Sequence, residues 1–291
     1  MVPRTPALWA PGGLFLNRNS FLAVFTFSVF PRIIAFGIVT SLLALGACKK
    51  DVDDAPAPAV TTHNFTLELA HRGANGHAFK LDTVYTNAAG SRYTLKALKY
   101  YLSNVQFTRQ DGTIWQEPNS YHLVTVGGAT ADNPQITVKD LPLGTYTKVT
   151  FAIGVDPIAN TRTDQVGDLN PTNEMAWNWN TGYKFLLLEG QQVLGAAPAT
   201  TDPAVTIHVG TAPTYRPVTL TLPTAGTVTA KISPQAHLEV DVNKIFGGPN
   251  VILFGATDFV VMGGNAVAQQ IADNYATMFA VEHVHNDPDH H

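Results

Sequence analysis

The chain has 291 residues, of which 45% are hydrophobic and 14% charged, and a formal net charge of −4. It contains ten histidines but a single cysteine, which excludes an intrachain disulfide framework. The acidic balance also argues against nucleic acid as a partner, because binding phosphates requires a basic surface.

The N-terminal region contains an apolar run at 33–45 that follows Arg32 and ends in Leu45-Gly46-Ala47-Cys48. Small residues before a cysteine form a lipobox, the site at which lipoprotein signal peptidases cleave. The run is too short for a membrane-spanning helix, which needs about 20 apolar residues. We therefore predict a signal peptide with lipobox at 1–48 and lipidation of Cys48. The lipid would anchor the protein to the outer membrane, on its periplasmic face or at the cell surface.

A second apolar stretch, at 21–30, follows Arg18 and is not needed in a signal peptide. It indicates a later start site, so that about the first 30 residues are an upstream start artefact. Removing 1–48 takes away three arginines and no acidic residue, which leaves 15 Lys and Arg against 22 Asp and Glu. All ten histidines lie in the mature chain.

A linker and one β-rich domain make up the mature chain. Residues 49–61 are charged and then rich in Pro and Ala, the composition of a flexible linker. From 62 to 291, short alternating runs of β-branched and aromatic residues are separated by turn signals such as Asp111-Gly112. This pattern predicts an all-β single domain, an antiparallel β-sandwich or barrel-like fold. The predicted strands are 64–69, 79–85, 121–126, 145–153, 183–188, 204–209, 217–222, 227–232 and 237–242.

Helical periodicity is present in only two segments, so one or two short helices are expected. Residues 94–102 could begin as one helical turn before a strand at 103–108. Residues 265–278 carry Ala, Gln and apolar residues at helical spacing.

The last predicted strand contains His283 and His285. The two-residue period of a strand places both imidazoles on one face, about 7 Å apart along the chain. A His-x-His pair of this kind commonly begins a metal site, and an exposed polar pair near a frayed terminus is the alternative. His290 and His291 follow in a tail and are treated as bystanders.

Three other histidines, His71, His208 and His237, lie in strand-like contexts. Neutral imidazole is a favoured ligand of copper and zinc, and no thiolate is left to compete once Cys48 is acylated. Taken singly, each ring also fits a buried histidine that is hydrogen-bonded to the backbone.

Two tryptophans, Trp177 and Trp179, lie two residues apart and two residues after Met175, so an extended segment would turn all three to one side. Three interpretations stay open: a hydrophobic plug, a stacking platform for sugars, and oxidation-prone tryptophans beside a redox metal. The chain lacks a Gly-x-Ser-x-Gly turn, a phosphate-binding glycine loop and a His-Glu-x-x-His helix. We therefore expect no enzymatic activity.

Several motifs, taken in order, resemble the MbnP-like copper-binding lipoproteins of Gram-negative bacteria. They are LDTVYTNAAG at 81–90, LKYYLSNV at 98–105, LGTY at 143–146, FAIGVD at 151–156, Met175-x-Trp177-x-Trp179-x-x-Gly182-Tyr183-Lys184-Phe185, His208-Val209-Gly210, and NYATMF at 274–279 before HVHND at 283–287.

The resemblance implies a copper-binding β-protein whose partner, MbnH, is a di-haem cytochrome c peroxidase-like enzyme similar to MauG. In that family the partner oxidises a tryptophan to kynurenine, which helps to bind copper. Carried over, the implied copper ligands are His208, His283, His285 and His71, with His237 as a further candidate. The modification candidates are Trp177 and Trp179. The alternative is a surface lipoprotein that binds a glycan or a protein through its aromatic patch, with structural histidines.

Overall fold

The computed structural model describes residues 61–73, 76–127, 133–162 and 164–287. The predicted signal peptide, Cys48 and the linker up to residue 60 lie outside the described residues, as do His290 and His291. No helix in the described ranges is long and apolar enough to cross a bilayer. The strands there are β1 (Thr62–Arg72), β2 (Tyr85–Thr86), β3 (Arg92–Arg109), β4 (Ile114–Gln116), β5 (Tyr121–Thr125), β6 (Gln135–Pro142), β7 (Gly144–Ile153), β8 (Leu186–Gln192), β9 (Ala204–Val209), β10 (Arg216–Val228), β11 (Gln235–Asp241), β12 (Phe259–Gly263) and β13 (Phe279–His285); the helices are α1 (Lys244–Gly247) and α2 (Ala266–Tyr275).

The strands form two sheets. The small sheet has the order β13-β11-β1-β6, and the large sheet has the order β10-β7-β3-β8-β9-β12, with β2, β4 and β5 also paired to β3. Most neighbours are antiparallel, but β1 with β11 and β9 with β12 are parallel. Neither sheet closes into a barrel within the described part of the chain. The prediction of an all-β sandwich with two short helices is confirmed, with mixed rather than purely antiparallel sheets.

The core lies between the two sheets. Alternation along β1 turns Phe65, Leu67 and Leu69 inward, and all three are fully buried. The ring of Phe65 packs against Phe107 of the large sheet, with centroids 4.6 Å apart. The apolar side chains of both inner faces thus form one continuous cluster, as in other sandwiches. Side chains one position along β1, including Glu68, consequently face outward.

A second apolar cluster covers part of the outer face of the large sheet. The segment between β7 and β8 folds back so that Met175 and Tyr183 are fully buried against Tyr101 and Phe185. Backbone hydrogen bonds close the fold, with Lys184 N–H donating to the carbonyl of Met175 at 2.7 Å. This layer determines where the two tryptophans lie.

The predicted helical turn at 94–102 is wrong, because this segment belongs to the 18-residue strand β3. A β-bulge between Leu95 and Ala97 inserts an extra residue against β8. Leu95 and Leu98 therefore both face the core although they are three residues apart, a spacing that imitates a helix. Pairing with β5, β7 and β8 overrides the local helical preference.

Two further differences concern strand boundaries. Of the predicted strand at 79–85, only the last residue belongs to a strand, β2, and the residues before it lie in a loop with a turn at 81–82. The predicted strand at 217–222 lies within the strand β10, which has a register shift against β7 between Thr221 and Gly226. Of the predicted strand at 227–232, only residues 227 and 228 belong to β10, and the rest is turn with an isolated bridge between Thr229 and Ile232. The helical pattern at 265–278 is confirmed as α2, where the Asn265 side chain caps the N-terminus by accepting from Ala268 N–H at 2.9 Å.

Candidate metal centre

Three histidines meet on the outer face of the small sheet. His237 of β11 lies between Glu68 of β1 and His283 of β13 in the strand register, and His285 pairs with the neighbouring Gln235. Strand pairing thus joins residues that are distant in sequence. The prediction that His283 and His285 share one face is confirmed, and His237 joins them from the adjacent strand.

A β-bulge in β13 sets the direction of the two histidines. Up to Val281 the register pairs Val281 with Leu238, but the next pair is His283 with His237, so Glu282 is an extra residue. In unbroken register, Glu282 would stand opposite His237, and His283 would point into the core. The bulge turns His283 outward while Val284 returns to the inner side.

The three rings are close enough to share one ion. Their ligand atoms all lie within 4.8 Å of one another. Nε2 of His283 and Nε2 of His285 are 3.0 Å apart, close to the spacing of about 3.3 Å between tetrahedral ligands with bonds of about 2.0–2.1 Å. The His237 and His283 rings are stacked, with centroids 4.3 Å apart, and His285 is perpendicular to both. One nitrogen of each ring could therefore be a ligand of the same ion.

The end of β13 is fastened to β10 next to the histidines. The Asn286 side chain accepts from Thr227 N–H at 2.7 Å and donates to the Ala225 carbonyl at 3.0 Å. His285 therefore directly precedes a residue whose side-chain amide is hydrogen-bonded to β10 through both its oxygen and its nitrogen. Sequence reasoning missed this role of Asn286, since a single asparagine near a chain end gives no signal of its distant partner.

A carboxylate lies behind His237. Glu68 Oε1 is 3.5 Å from His237 Nδ1, and the Glu68 side chain is only 14% exposed. Amides surround the carboxylate: Asn133 donates to Oε1 at 2.9 Å, and Gln235 and Gln135 donate to Oε2 at 2.5 and 3.4 Å. Sequence reasoning also missed Glu68, because its only local mark is one acidic residue in an apolar alternation.

The electrostatic setting of His237 favours the neutral ring that a metal requires. Burial lowers the pKa of His237, and the neighbouring imidazoles of His283 and His285 act in the same direction, while Glu68 opposes them. A neutral imidazole keeps one nitrogen lone pair free for coordination.

His71 lies on the opposite side of the small sheet from this cluster. It is 3% exposed between the sheets, and its Nε2 is 2.9 Å from the Tyr100 hydroxyl of β3. Burial lowers the pKa of His71 to about 4, so the ring is neutral at physiological pH. The alternation of β1 explains the separation, because His71 and Glu68 are three residues apart and face opposite ways.

His208 is likewise apart from the cluster, on the outer face of the large sheet. Its Nε2 is 2.8 Å from Glu189 Oε1, and burial lowers the pKa of His208 while this hydrogen bond opposes the shift. Val209 and Ile207, its neighbours in β9, point into the core. His208 is instead grouped with Trp177, whose ring centroid is 6.5 Å away.

The two tryptophans differ in exposure. Trp177 is 6% exposed, and its Nε1 donates to the Gly210 carbonyl at 3.1 Å. Trp179 is 62% exposed and lies against it, with ring centroids 5.0 Å apart. Lys184 places its ammonium 5.7 Å from the Trp177 ring centroid. One tryptophan is thus buried, and the other presents its ring to solvent.

Comparison with known proteins places these observations in a family. The family model described as MbnP matches residues 62–262. Among solved structures, MbnP from Methylosinus trichosporium is similar at 15% identity and a TM-score of 0.44, covering 68% of this chain and 83% of that chain. No curated protein sequence matches.

Proposed function

Because the chain belongs to the MbnP family, we propose that it binds copper, outside the cytoplasm, at the site formed by His237, His283 and His285. The observation that carries this proposal is the convergence of three imidazoles from two neighbouring strands, with ligand atoms within 4.8 Å. Two of the three come from a His-x-His pair whose bulge turns both rings outward.

The chemistry of the ligand set favours copper. Imidazole suits copper and zinc, and copper stands at the top of the affinity order for divalent ions at nitrogen sites. With Cys48 acylated, the mature chain would have no thiolate to offer a soft metal. Zinc is the competing ion, since it accepts three imidazoles and one further ligand.

The proposed role is non-catalytic copper handling at the outer membrane. Lipid at Cys48 would anchor the chain, and the linker at 49–61 would separate the lipid from the domain at 62–291. The cluster of three histidines lies on the outer face of the small sheet, and His283 is its solvent-exposed member. Such an open site suits exchange of the ion with a donor or acceptor.

We also propose that a di-haem MbnH-like partner oxidises Trp177 or Trp179 to kynurenine. This rests on the family and on the Met175-x-Trp177-x-Trp179 motif. The exposure of Trp179 makes its ring the accessible member of the pair. If Trp177 is the residue modified, the imidazole of His208 would lie beside the kynurenine, since its ring centroid is 6.5 Å from that of Trp177.

A second candidate function is glycan binding by the exposed ring of Trp179. A tryptophan that is 62% exposed and supported from behind by a second tryptophan can stack on a sugar. A glycan-array signal that is lost in Trp179→Ala, with no copper bound, would favour this function over the first.

The proposal is tested by copper content and tryptophan mass. The mature chain is purified after co-expression with a di-haem peroxidase of the family, and its copper is measured by elemental analysis. We expect about one copper per chain, reduced at least tenfold in the double variant His283→Ala/His285→Ala. The matched control is His77→Ala, because His77 is exposed and lies outside the cluster.

Two results would count against the proposal. Copper that stays at the wild-type level in the double variant would show that the cluster is not the site. Absence of copper from the wild-type protein, together with intact tryptophans by peptide mass spectrometry, would remove both the metal and the modification.

A further inference from the structure

The outer face of the small sheet carries a polar row that extends beyond the three histidines. In strand register the row is Gln135, Glu68, His237 and His283, one residue from each of the four strands. Two neighbours in this row, Glu68 and His237, are in contact, because Oε1 of Glu68 lies 3.5 Å from Nδ1 of His237. The following inference rests on the proposed function of this site.

We infer that Glu68 is a positioning residue that holds His237 with Nε2 free for the metal and makes the site prefer a divalent over a monovalent copper ion. Neutral imidazole has one hydrogen, so an Nδ1–H that donates to Glu68 leaves the lone pair on Nε2. The Glu68 carboxylate lies on the Nδ1 side of the His237 ring, at 3.5 Å. Histidine ligands are commonly oriented by a carboxylate in this way.

The surroundings of Glu68 keep the carboxylate available for this role. Three side-chain amides, from Asn133, Gln135 and Gln235, donate to its two oxygens. Amides hold the carboxylate without neutralising its charge. Its ion-pair partner among the described residues is His237. The negative charge therefore acts chiefly on the imidazole and on any cation bound beyond it.

The negative charge of Glu68, behind the ligand His237, stabilises the two oxidation states of a bound copper ion to different extents. The attraction between the carboxylate and the ion scales with the charge of the ion, so it is twice as large for Cu(II) as for Cu(I) at the same distance. A hydrogen bond from Nδ1–H also makes Nε2 a stronger donor. Both effects favour Cu(II), so the reduction potential of the bound ion is lowered.

The test compares Cu(I) and Cu(II) affinities of the purified mature chain, each by competition with a chelator of known affinity. Glu68→Gln is expected to weaken Cu(II) binding about 10–100-fold and Cu(I) binding at least tenfold less. The midpoint potential then rises by about 59 mV for each tenfold difference between the two losses. The matched control is Glu239→Gln, which removes a carboxylate from the same face of β11, two residues from His237.

The possible results separate the inference from the proposed function. Equal losses for both ions in Glu68→Gln, or the same potential shift in Glu239→Gln, would overturn the inference and leave copper binding standing. If the wild-type chain binds neither ion, the proposed function itself fails.

A measurement on the unmodified protein covers the case in which Glu68→Gln does not fold. Nitrogen-15 NMR of metal-free wild-type chain reports the tautomer of His237. The inference expects hydrogen on Nδ1, and hydrogen on Nε2 would overturn it.

Discussion

Acidification is expected to destabilise the fold partly through His71, and His71→Gln should remove that part. His71 is 3% exposed, and burial lowers its pKa to about 4, whereas an exposed histidine has a pKa near 6.5. Between these values the unfolded chain binds a proton that the folded chain does not. The free energy of unfolding therefore falls as the pH decreases from 6.5 to 4, and the full contribution is present above 6.5.

The shift of the His71 pKa lowers the free energy of unfolding by about 3 kcal/mol between pH 8 and pH 4, at about 1.4 kcal/mol per pKa unit. Glutamine keeps a hydrogen-bonding group near the Tyr100 hydroxyl but does not titrate. The variant has its own constant cost at all pH values, because its shape differs. The contribution of His71 protonation is therefore measured by how the difference in the free energy of unfolding between the two proteins changes with pH.

The assay is urea unfolding of the metal-free proteins at pH 8, 6, 5 and 4, followed by tryptophan fluorescence. Other histidines and the carboxylates contribute equally to both proteins and cancel in the difference. We expect the wild-type protein to lose about 3 kcal/mol more than His71→Gln over this range. A difference that stays constant across the four pH values would show that protonation of His71 does not destabilise the fold.

Three further predictions concern the tryptophans, a glycine and the metal. Trp177→Phe should lower the free energy of unfolding by about 1–3 kcal/mol, because it removes the Nε1–H that donates to the carbonyl of Gly210. Trp179→Phe should leave the free energy of unfolding nearly unchanged, because that ring is exposed, and urea unfolding compares the two variants. Gly190→Ala should lower the free energy of unfolding by at least about 1–3 kcal/mol, since the added Cβ would lie 1.9 Å from the carbonyl oxygen of Thr94. Thermal unfolding measures this loss of stability. Copper at 100 times its dissociation constant should stabilise the wild-type chain by about 2.7 kcal/mol, and a chelator or His283→Ala should abolish this gain in the same thermal assay.

Much of the sandwich could be predicted because its strands obey a two-residue period. β1, β9 and β11 alternate buried and half-exposed side chains along most of their length, and the predicted strands fall on them. The bulge beside Leu95 broke that period and imitated a helix. Local patterns could not reveal the parallel pairing of β1 with β11, because it joins segments more than 160 residues apart.

The cluster of three histidines could be predicted only in part from the sequence, for the same reason. His283 and His285 are close in sequence, so the period of one strand was enough to place them together. His237 and Glu68 join them only through strand order and register. In the sequence, His71 and His208 occur in strand-like segments just as His237 does. In the structure, the alternation of β1 directs His71 to the core, whereas His208 lies on β9, which belongs to the other sheet.

Anomalous X-ray diffraction at the copper absorption edge, from crystals of the copper-loaded mature chain, tests the central claim most directly. Copper binding by the three histidines should give one strong peak on the outer face of the small sheet, about 2.0–2.1 Å from a ring nitrogen of each of His237, His283 and His285. A strong peak beside His208 and Trp177, with none at the three histidines, would contradict it.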